Sequence, residues 1–231
     1  MLNPVTSPAG AMAYLEDELI APDFAGPDRL RLVQTPLVPE VLLHLAEDAV
    51  VWWARMEAEL GTVLTAPFWA TAWPGGQALA RYLLDHPQTV AGKRVLDVAS
   101  GSGLVAIAAG LAGAGTVTAN DVDQYALAAI TLNARANGVA VTACPGDLLD
   151  GDGGDADVVL AGDAFYSEAI AHRMWPFLRR AAARGAQVLV GDPGRGHLPA
   201  DQLTTVTSYP AAVTDAPVEP QISRISVLQP R

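Results

Sequence analysis

A glycine-rich turn follows an acidic residue in the run VLDVASGSG at residues 95–103. Gly101 and Gly103 let a ligand approach the backbone closely, and the N-terminus of the predicted helix after them offers free N–H donors. The pattern Gly-x-Gly-x-x-Ala also fits a dinucleotide fingerprint, although it is not specific on its own. Asp97 would repel a pyrophosphate and favour a cation. The turn therefore predicts a site for a positively charged cofactor.

Two further acids follow the next two predicted strands. Asp121 comes about 20 residues after Gly101, where a carboxylate meets ribose hydroxyls in several cofactor classes. Asp147 follows the third strand, where it either reaches an adenine amino group or caps a turn. Together with Asp97, these acids match the ammonium, the ribose diol and the exocyclic amine of S-adenosylmethionine.

Alternating strand and helix patterns place these acids at one edge of a sheet. Strands separated by helices imply crossover connections and a parallel sheet, and two β-like runs at the end of the chain predict a closing antiparallel hairpin. Helical spacing between residues 37 and 60 predicts two helices that cover one end of the core. The predicted strands cover 94–98, 116–120, 139–143, 156–160, 187–190, 204–209 and 222–228, and the helices cover 11–20, 76–85, 104–111, 124–137 and 167–183, the last one interrupted near Pro176.

Composition limits the function classes. The chain has 231 residues, 51% of them hydrophobic and 17% charged, which predicts a folded domain preceded by an arm. We expect the arm and its helical cover in residues 1–60 and the catalytic domain in 61–231. A net charge of −11 argues against nucleic acid as the main partner. One cysteine and four scattered histidines give no disulfide and no metal site. We find neither a signal peptide nor a membrane span and expect a cytoplasmic protein.

With these features the chain resembles the class I S-adenosylmethionine-dependent methyltransferases. Four stretches are similar to a narrower group, the lysine methyltransferases of the electron transfer flavoprotein β-subunit. They read FWATAWPGGQ at 68–77, ANDVD at 119–123, GDAFY at 162–166 and VGDPGR at 190–195. The resemblance implies an α/β, Rossmann-like fold with a seven-stranded mixed sheet, helices on both faces and a C-terminal antiparallel hairpin. It also implies a protein substrate that bears a lysine.

The same resemblance implies roles for individual residues. Asp163 and Tyr166 match the family's acid-x-x-aromatic motif, so Asp163 would orient the acceptor amine while Tyr166 helps to enclose the site. Methyl transfer needs the amine lone pair in line with the methyl carbon, and positioning therefore dominates the chemistry. Further implied contacts are Trp69, Phe165 and Arg195 on the substrate side and Trp73, Gly75 and Gln77 along the methionine part of the cofactor.

The sequence is also compatible with several other functions. An NAD-dependent oxidoreductase is disfavoured by Asp97. A nucleic-acid methyltransferase is disfavoured because Ala164 replaces the proline that such enzymes place after the catalytic acid or amide. A methyltransferase for small pyridines or amines is the main alternative, since specificity lies in loops rather than in the fold. A binding module without catalysis is disfavoured by the Asp163 and Tyr166 pair.

Overall fold

The computed structural model describes residues 7–20, 28–211 and 222–231. From residue 74 onward the elements alternate along the chain as the sequence predicts. In chain order they are α1 (Pro8–Ile20), β1 (Leu30–Gln34), β2 (Leu42–Ala46), α2 (Ala49–Leu60), α3 (Pro74–Asp85), β3 (Arg94–Val98), α4 (Leu104–Leu111), β4 (Thr116–Asp121), α5 (Gln124–Ala136), β5 (Thr142–Pro145), β6 (Val158–Gly162), α6 (Glu168–Ala183), β7 (Gln187–Asp192), β8 (Leu203–Pro210) and β9 (Arg224–Pro230).

Seven strands form one mixed sheet in the order β5-β4-β3-β6-β7-β9-β8. The first five strands in this order run parallel, and β9 pairs antiparallel with both β7 and β8. Buried residues of α3, α4 and α5 pack on one face of the sheet, and those of α6 pack on the other. The predicted fold, including the C-terminal hairpin, is confirmed. It brings the carboxyl ends of β3, β4, β6 and β7 to a common edge, where open α/β sheets bind ligands.

Local predictions were wrong at β5 and in α6. The strand expected at 139–143 is β5, which begins three positions later and pairs with β4 from Thr142 onward. The interruption expected near Pro176 does not occur, and α6 is continuous through that residue. Met174, Phe177 and Leu178 are fully buried around the proline, so packing against the sheet offsets the missing backbone hydrogen bond.

The first of the two helices predicted between residues 37 and 60 is a strand, and the cover of the core is therefore only partly helical. β2 forms an antiparallel hairpin with β1 on one side. On its other side, Asn137 of the α5 C-terminus exchanges two hydrogen bonds with the backbone of Leu42, at 2.9 and 2.6 Å. The side-chain amide of Asn137 takes the place of a third strand and satisfies backbone hydrogen-bonding groups at the edge of β2. This contact joins residues far apart in the sequence, so the local spacing of apolar residues does not reveal it.

No helix within the described parts of the chain is both long and apolar enough to cross a membrane.

Candidate active site

The glycine-rich turn connects β3 to α4 and requires left-handed backbone angles. Gly101 and Gly103 have φ values of 55° and 83°, and a Cβ atom on Gly103 would lie 3.3 Å from the backbone of Ile130. Ala99 also has a positive φ, of 53°, which costs a residue with a Cβ about 1–2 kcal/mol. The turn is therefore held in a strained, tight conformation against α5.

The carboxylates of two acidic residues hydrogen-bond to this turn and to the start of α4. Asp97 is fully buried at the end of β3, where its carboxylate accepts hydrogen bonds from the Ser100 hydroxyl and, at 3.2 Å, from the Ala106 backbone N–H. Asp121, at the end of β4, accepts a hydrogen bond from the Gly101 N–H at 2.9 Å. Both carboxylates thus fix the turn as well as placing negative charge beside it.

The acids at this edge carry poorly solvated negative charge. Burial raises the pKa of Asp97 to about 7, and the charge of Asp121 adds to the shift. Burial likewise raises the pKa of Asp123 to about 6 and raises that of Asp121. Because desolvation disfavours the ionised form, a bound cation would stabilise all three carboxylates. The electrostatics of the turn therefore favour a positively charged ligand.

Asp163 follows β6 and bridges three segments of the chain. It adopts a left-handed conformation with φ at 53°. Its Oδ2 accepts a hydrogen bond from the Gly76 N–H at 3.1 Å, which caps the N-terminus of α3, and its Oδ1 accepts one from Arg195. Asp163 is 7% exposed, and burial raises its pKa although Arg195 opposes the shift. A strained, buried carboxylate at a sheet edge is typical of a functional site.

Three aromatic side chains form a wall beside Asp163. Phe68 stacks on Tyr166 with ring centroids 5.9 Å apart and an interplanar angle of 27°. The Trp73 ring lies 6.2 Å from that of Phe68, and its indole N–H donates to the Phe68 carbonyl at 2.7 Å. Both Phe68 and Tyr166 are about half exposed, at 53% and 51%. Burial raises the pKa of Tyr166, and the charge of Asp121 adds to the shift, which connects this wall to the cofactor edge.

The structure places four of the predicted site residues differently. Trp69 is buried against Trp52 at a ring-centroid distance of 5.1 Å, and Phe165 is buried beneath α6. Gln77 uses both ends of its amide within the protein, since it donates to Ala72 and accepts from Leu37. Trp69 and Phe165 therefore belong to the core. Gln77 connects α3 to the loop between β1 and β2 through its hydrogen bond with Leu37.

Asp147 is the fourth predicted site residue that the structure places differently, and its side chain is exposed. One carboxylate oxygen pairs with Arg173 at 2.5 Å, and the other accepts a hydrogen bond from the Leu149 N–H and so caps the turn. Arg180 of α6 and Arg184, the residue directly after that helix, donate hydrogen bonds to backbone carbonyls further along this loop. The loop after β5 is thus fastened to α6. Of the two roles open for Asp147, the structure shows the turn cap.

Sequence reasoning missed Phe68, Asp123 and Asn133. Phe68 takes the place of its neighbour Trp69 at the crevice, because the short helical turn at Phe68–Ala70 leaves Phe68 exposed while Trp52 buries Trp69. Asn133 is fully buried, donates to the Ser102 carbonyl at 2.8 Å and accepts from the His44 backbone N–H at 2.7 Å. It connects the glycine turn to the N-terminal hairpin. The pair of asparagines four residues apart in an apolar helix was the available signal.

The sheet order, the strained glycine turn and the acids at successive strand ends together define a class I methyltransferase. Residues 78–164 match the family model described as ribosomal protein L11 methyltransferase (PrmA). Among solved structures, TrmN from Thermus thermophilus is similar, with 25% identity and a TM-score of 0.50 over 66% of this chain and 48% of that one.

The curated relatives define a narrower group. The electron transfer flavoprotein beta subunit lysine methyltransferase of Rattus norvegicus is 43% identical over 180 residues, which are 75% of this chain and 69% of that protein. The Homo sapiens enzyme of the same name is 39% identical over 207 residues, covering 87% and 77%. The chain belongs to the electron transfer flavoprotein beta subunit lysine methyltransferase family, and it is a methyltransferase enzyme.

Proposed function

We propose that this enzyme transfers a methyl group from S-adenosylmethionine to a lysine of the electron transfer flavoprotein β-subunit. The observation that carries the proposal is the buried carboxylate of Asp163 beside the wall of Phe68, Trp73 and Tyr166. A carboxylate with adjacent ring faces suits an amine that becomes a methylated cation. The names and coverage of the relatives supply the protein acceptor.

The residues of the glycine turn fit this cofactor. Asp97, Asp121 and Asp123 present desolvated negative charge to a ligand that carries both an ammonium and a sulfonium. When bound, S-adenosylmethionine supplies an electrophilic methyl group. Asp121 would hold the ribose hydroxyls, Gly101 and Gly103 would let the ligand lie against the backbone, and Trp73 and Gly75 would line the methionine end.

Asp163 would act on the acceptor rather than on the cofactor. Its carboxylate accepts a hydrogen bond from the lysine amine and fixes the direction of the nitrogen lone pair. A carboxylate favours the charged form of a lysine, so Asp163 alone does not deprotonate it. The amine loses its proton to water before transfer. The aromatic wall then stabilises the cationic product and limits the access of water.

We predict that the affinity for S-adenosylmethionine rises by about tenfold between about pH 6 and pH 7.5. The pKa values of Asp97 and Asp123 are raised to about 7 and about 6, so these groups become protonated as the pH falls through this range. A cation binds the ionised carboxylates, and binding therefore releases protons. Calorimetry in two buffers of different ionisation enthalpy measures both effects, and a pH-independent affinity would contradict the assignment.

Replacing Asp121 with alanine is expected to weaken cofactor binding by about 1.5–3 kcal/mol for each charged hydrogen bond lost. The substitution removes the ribose contact and the anchor of the Gly101 N–H. Calorimetric titration of the folded variant measures the loss, with the exposed Asp201→Ala variant as a control. An unchanged affinity would remove the ribose assignment. The same titration with NADH separates this reading from a dinucleotide enzyme.

The acceptor class is tested by labelling a whole-cell extract with radioactive S-adenosylmethionine and this enzyme. Separation into protein, RNA and small-molecule fractions shows where the label goes. The proposal expects it in protein. Label confined to small amines would favour the alternative, a small-molecule N-methyltransferase.

A further inference from the structure

Two buried carboxylates lie side by side at the acceptor end of the sheet. Asp192 ends β7, and Asp163 directly follows β6, which is paired with β7 through Gly162 and Gly191. The Asp163 N–H donates to the Gly191 carbonyl at 2.9 Å, so the two acids leave the sheet at the same level. Asp163 is 7% exposed and Asp192 only 2%.

Arg195 occupies the position expected for the acceptor's ammonium. Its guanidinium donates to Asp163 Oδ1, and its Cζ atom lies 5.5 Å from the centroid of the Trp73 ring. Burial raises the pKa of both Asp163 and Asp192, and the charge of Arg195 opposes both increases. A carboxylate and an aromatic face are the groups that a lysine amine would use. In this state the chain's own cation fills that place.

One carboxylate oxygen of Asp192 accepts no hydrogen bond from the described residues. Its Oδ1 accepts a hydrogen bond from the Gly194 N–H at 2.6 Å. Its Oδ2 is buried and has no hydrogen-bond partner among the described residues. Burial of an unpaired carboxylate oxygen is unfavourable, and it raises the pKa of Asp192 to about 6. This atom is therefore poised to accept a donor in another state of the site.

We propose that Arg195 moves from Asp163 to Asp192 Oδ2 when the acceptor lysine enters, which frees Asp163 Oδ1 for the amine. This proposal rests on the proposed function and makes Asp192 a positioning residue. Arg195 lies between Gly194 and Gly196, which have φ values of 88° and 92°, and a Cβ atom on either glycine would meet nothing within 4 Å. Glycine on each side of Arg195 gives the backbone access to angles that other residues rarely adopt.

The test compares Asp192→Asn, Arg195→Ala and the double variant in methylation of the electron transfer flavoprotein β-subunit. Asparagine keeps the shape of Asp192 but removes the charge that would receive Arg195. We expect the acceptor KM of the Asp192→Asn variant to be about tenfold higher, because one charged hydrogen bond is lost. The Kd for the cofactor should stay within about twofold. In the Arg195→Ala background the same substitution should have no effect, because no guanidinium needs a new partner. Asp201→Asn is the matched exposed control.

A second measurement observes Arg195 directly in the unaltered protein, and the Arg195→Ala variant serves only to assign its resonance. The side-chain Nε–H resonance of Arg195, assigned by its absence from the Arg195→Ala spectrum, should shift when n-butylammonium is added to the protein with S-adenosylhomocysteine. The absence of a shift would contradict the proposal. An acceptor KM that is unchanged in Asp192→Asn would also contradict it, as would an equal increase in KM when the same substitution is made in the Arg195→Ala background. If the unaltered enzyme methylates no lysine of the β-subunit, the proposed acceptor fails first, and this proposal fails with it.

Discussion

Replacing Asp163 with alanine is expected to lower kcat/KM for the acceptor by about 100-fold or more, since a misplaced nucleophile loses roughly that factor. The amine loses the acceptor that fixes its lone pair. Cofactor affinity should change little, because the glycine turn is held by Asp97 and Asp121 instead. Single-turnover kinetics and calorimetry on the same protein separate the two effects.

The alanine variant also loses a structural role, so a second variant is needed. Asp163 caps α3 through the Gly76 N–H and pairs with Arg195, and removing one partner of a buried ion pair costs about 3–5 kcal/mol. Asparagine keeps an oxygen for the cap and tolerates the left-handed φ of 53°. Asp163→Asn should therefore remain folded and still lose most of its activity. Near-parental turnover of this variant would reduce Asp163 to a helix cap.

Replacing Gly75 with alanine is expected to destabilise the protein by about 3 kcal/mol or more, as overpacking against fixed backbone does. A Cβ atom there would lie 2.2 Å from the Gly191 carbonyl oxygen and 2.6 Å from Asp163 Oδ2. Gly191 belongs to β7 and Asp163 to the candidate site, and neither atom can shift easily. The start of α3 would therefore have to move away from the sheet edge. Thermal or urea unfolding, monitored by circular dichroism, measures the loss.

The neighbouring glycine provides a matched control. A Cβ atom on Gly76 would lie 3.8 Å from the Val105 side chain, an ordinary contact, and alanine is the better helix former by about 1 kcal/mol. Gly76→Ala should therefore leave stability unchanged or raise it. Equal destabilisation by the two substitutions would contradict the close approach of α3 to β7.

The elements around the cofactor edge could be predicted from the sequence because their signals are local. β3 and α4 begin and end where the apolar pattern and Gly103 place them, and the acids at the ends of β3, β4 and β6 follow from strand order. A parallel sheet brings such residues together whatever the loops do.

The remaining features depend on contacts that are distant in sequence. The hairpin strand Leu42–Ala46 has a helical pattern, and it becomes a strand through the amides of Asn133 and Asn137. Which of Phe68 and Trp69 faces the crevice depends on Trp52, because that ring buries Trp69. Asp163 caps α3, whose N-terminus lies far earlier in the chain, rather than the helix that follows it. No local pattern encodes these pairings.

The most direct test of the account is mass spectrometry of purified electron transfer flavoprotein β-subunit after incubation with the enzyme and S-adenosylmethionine. We predict one or more methyl groups on a lysine side chain, located by peptide mapping, and little or no product with the Asp163→Asn variant. Parallel reactions with a panel of pyridines and amines should give no comparable turnover. An unmodified β-subunit, together with methylation of one of the small amines, would contradict the account.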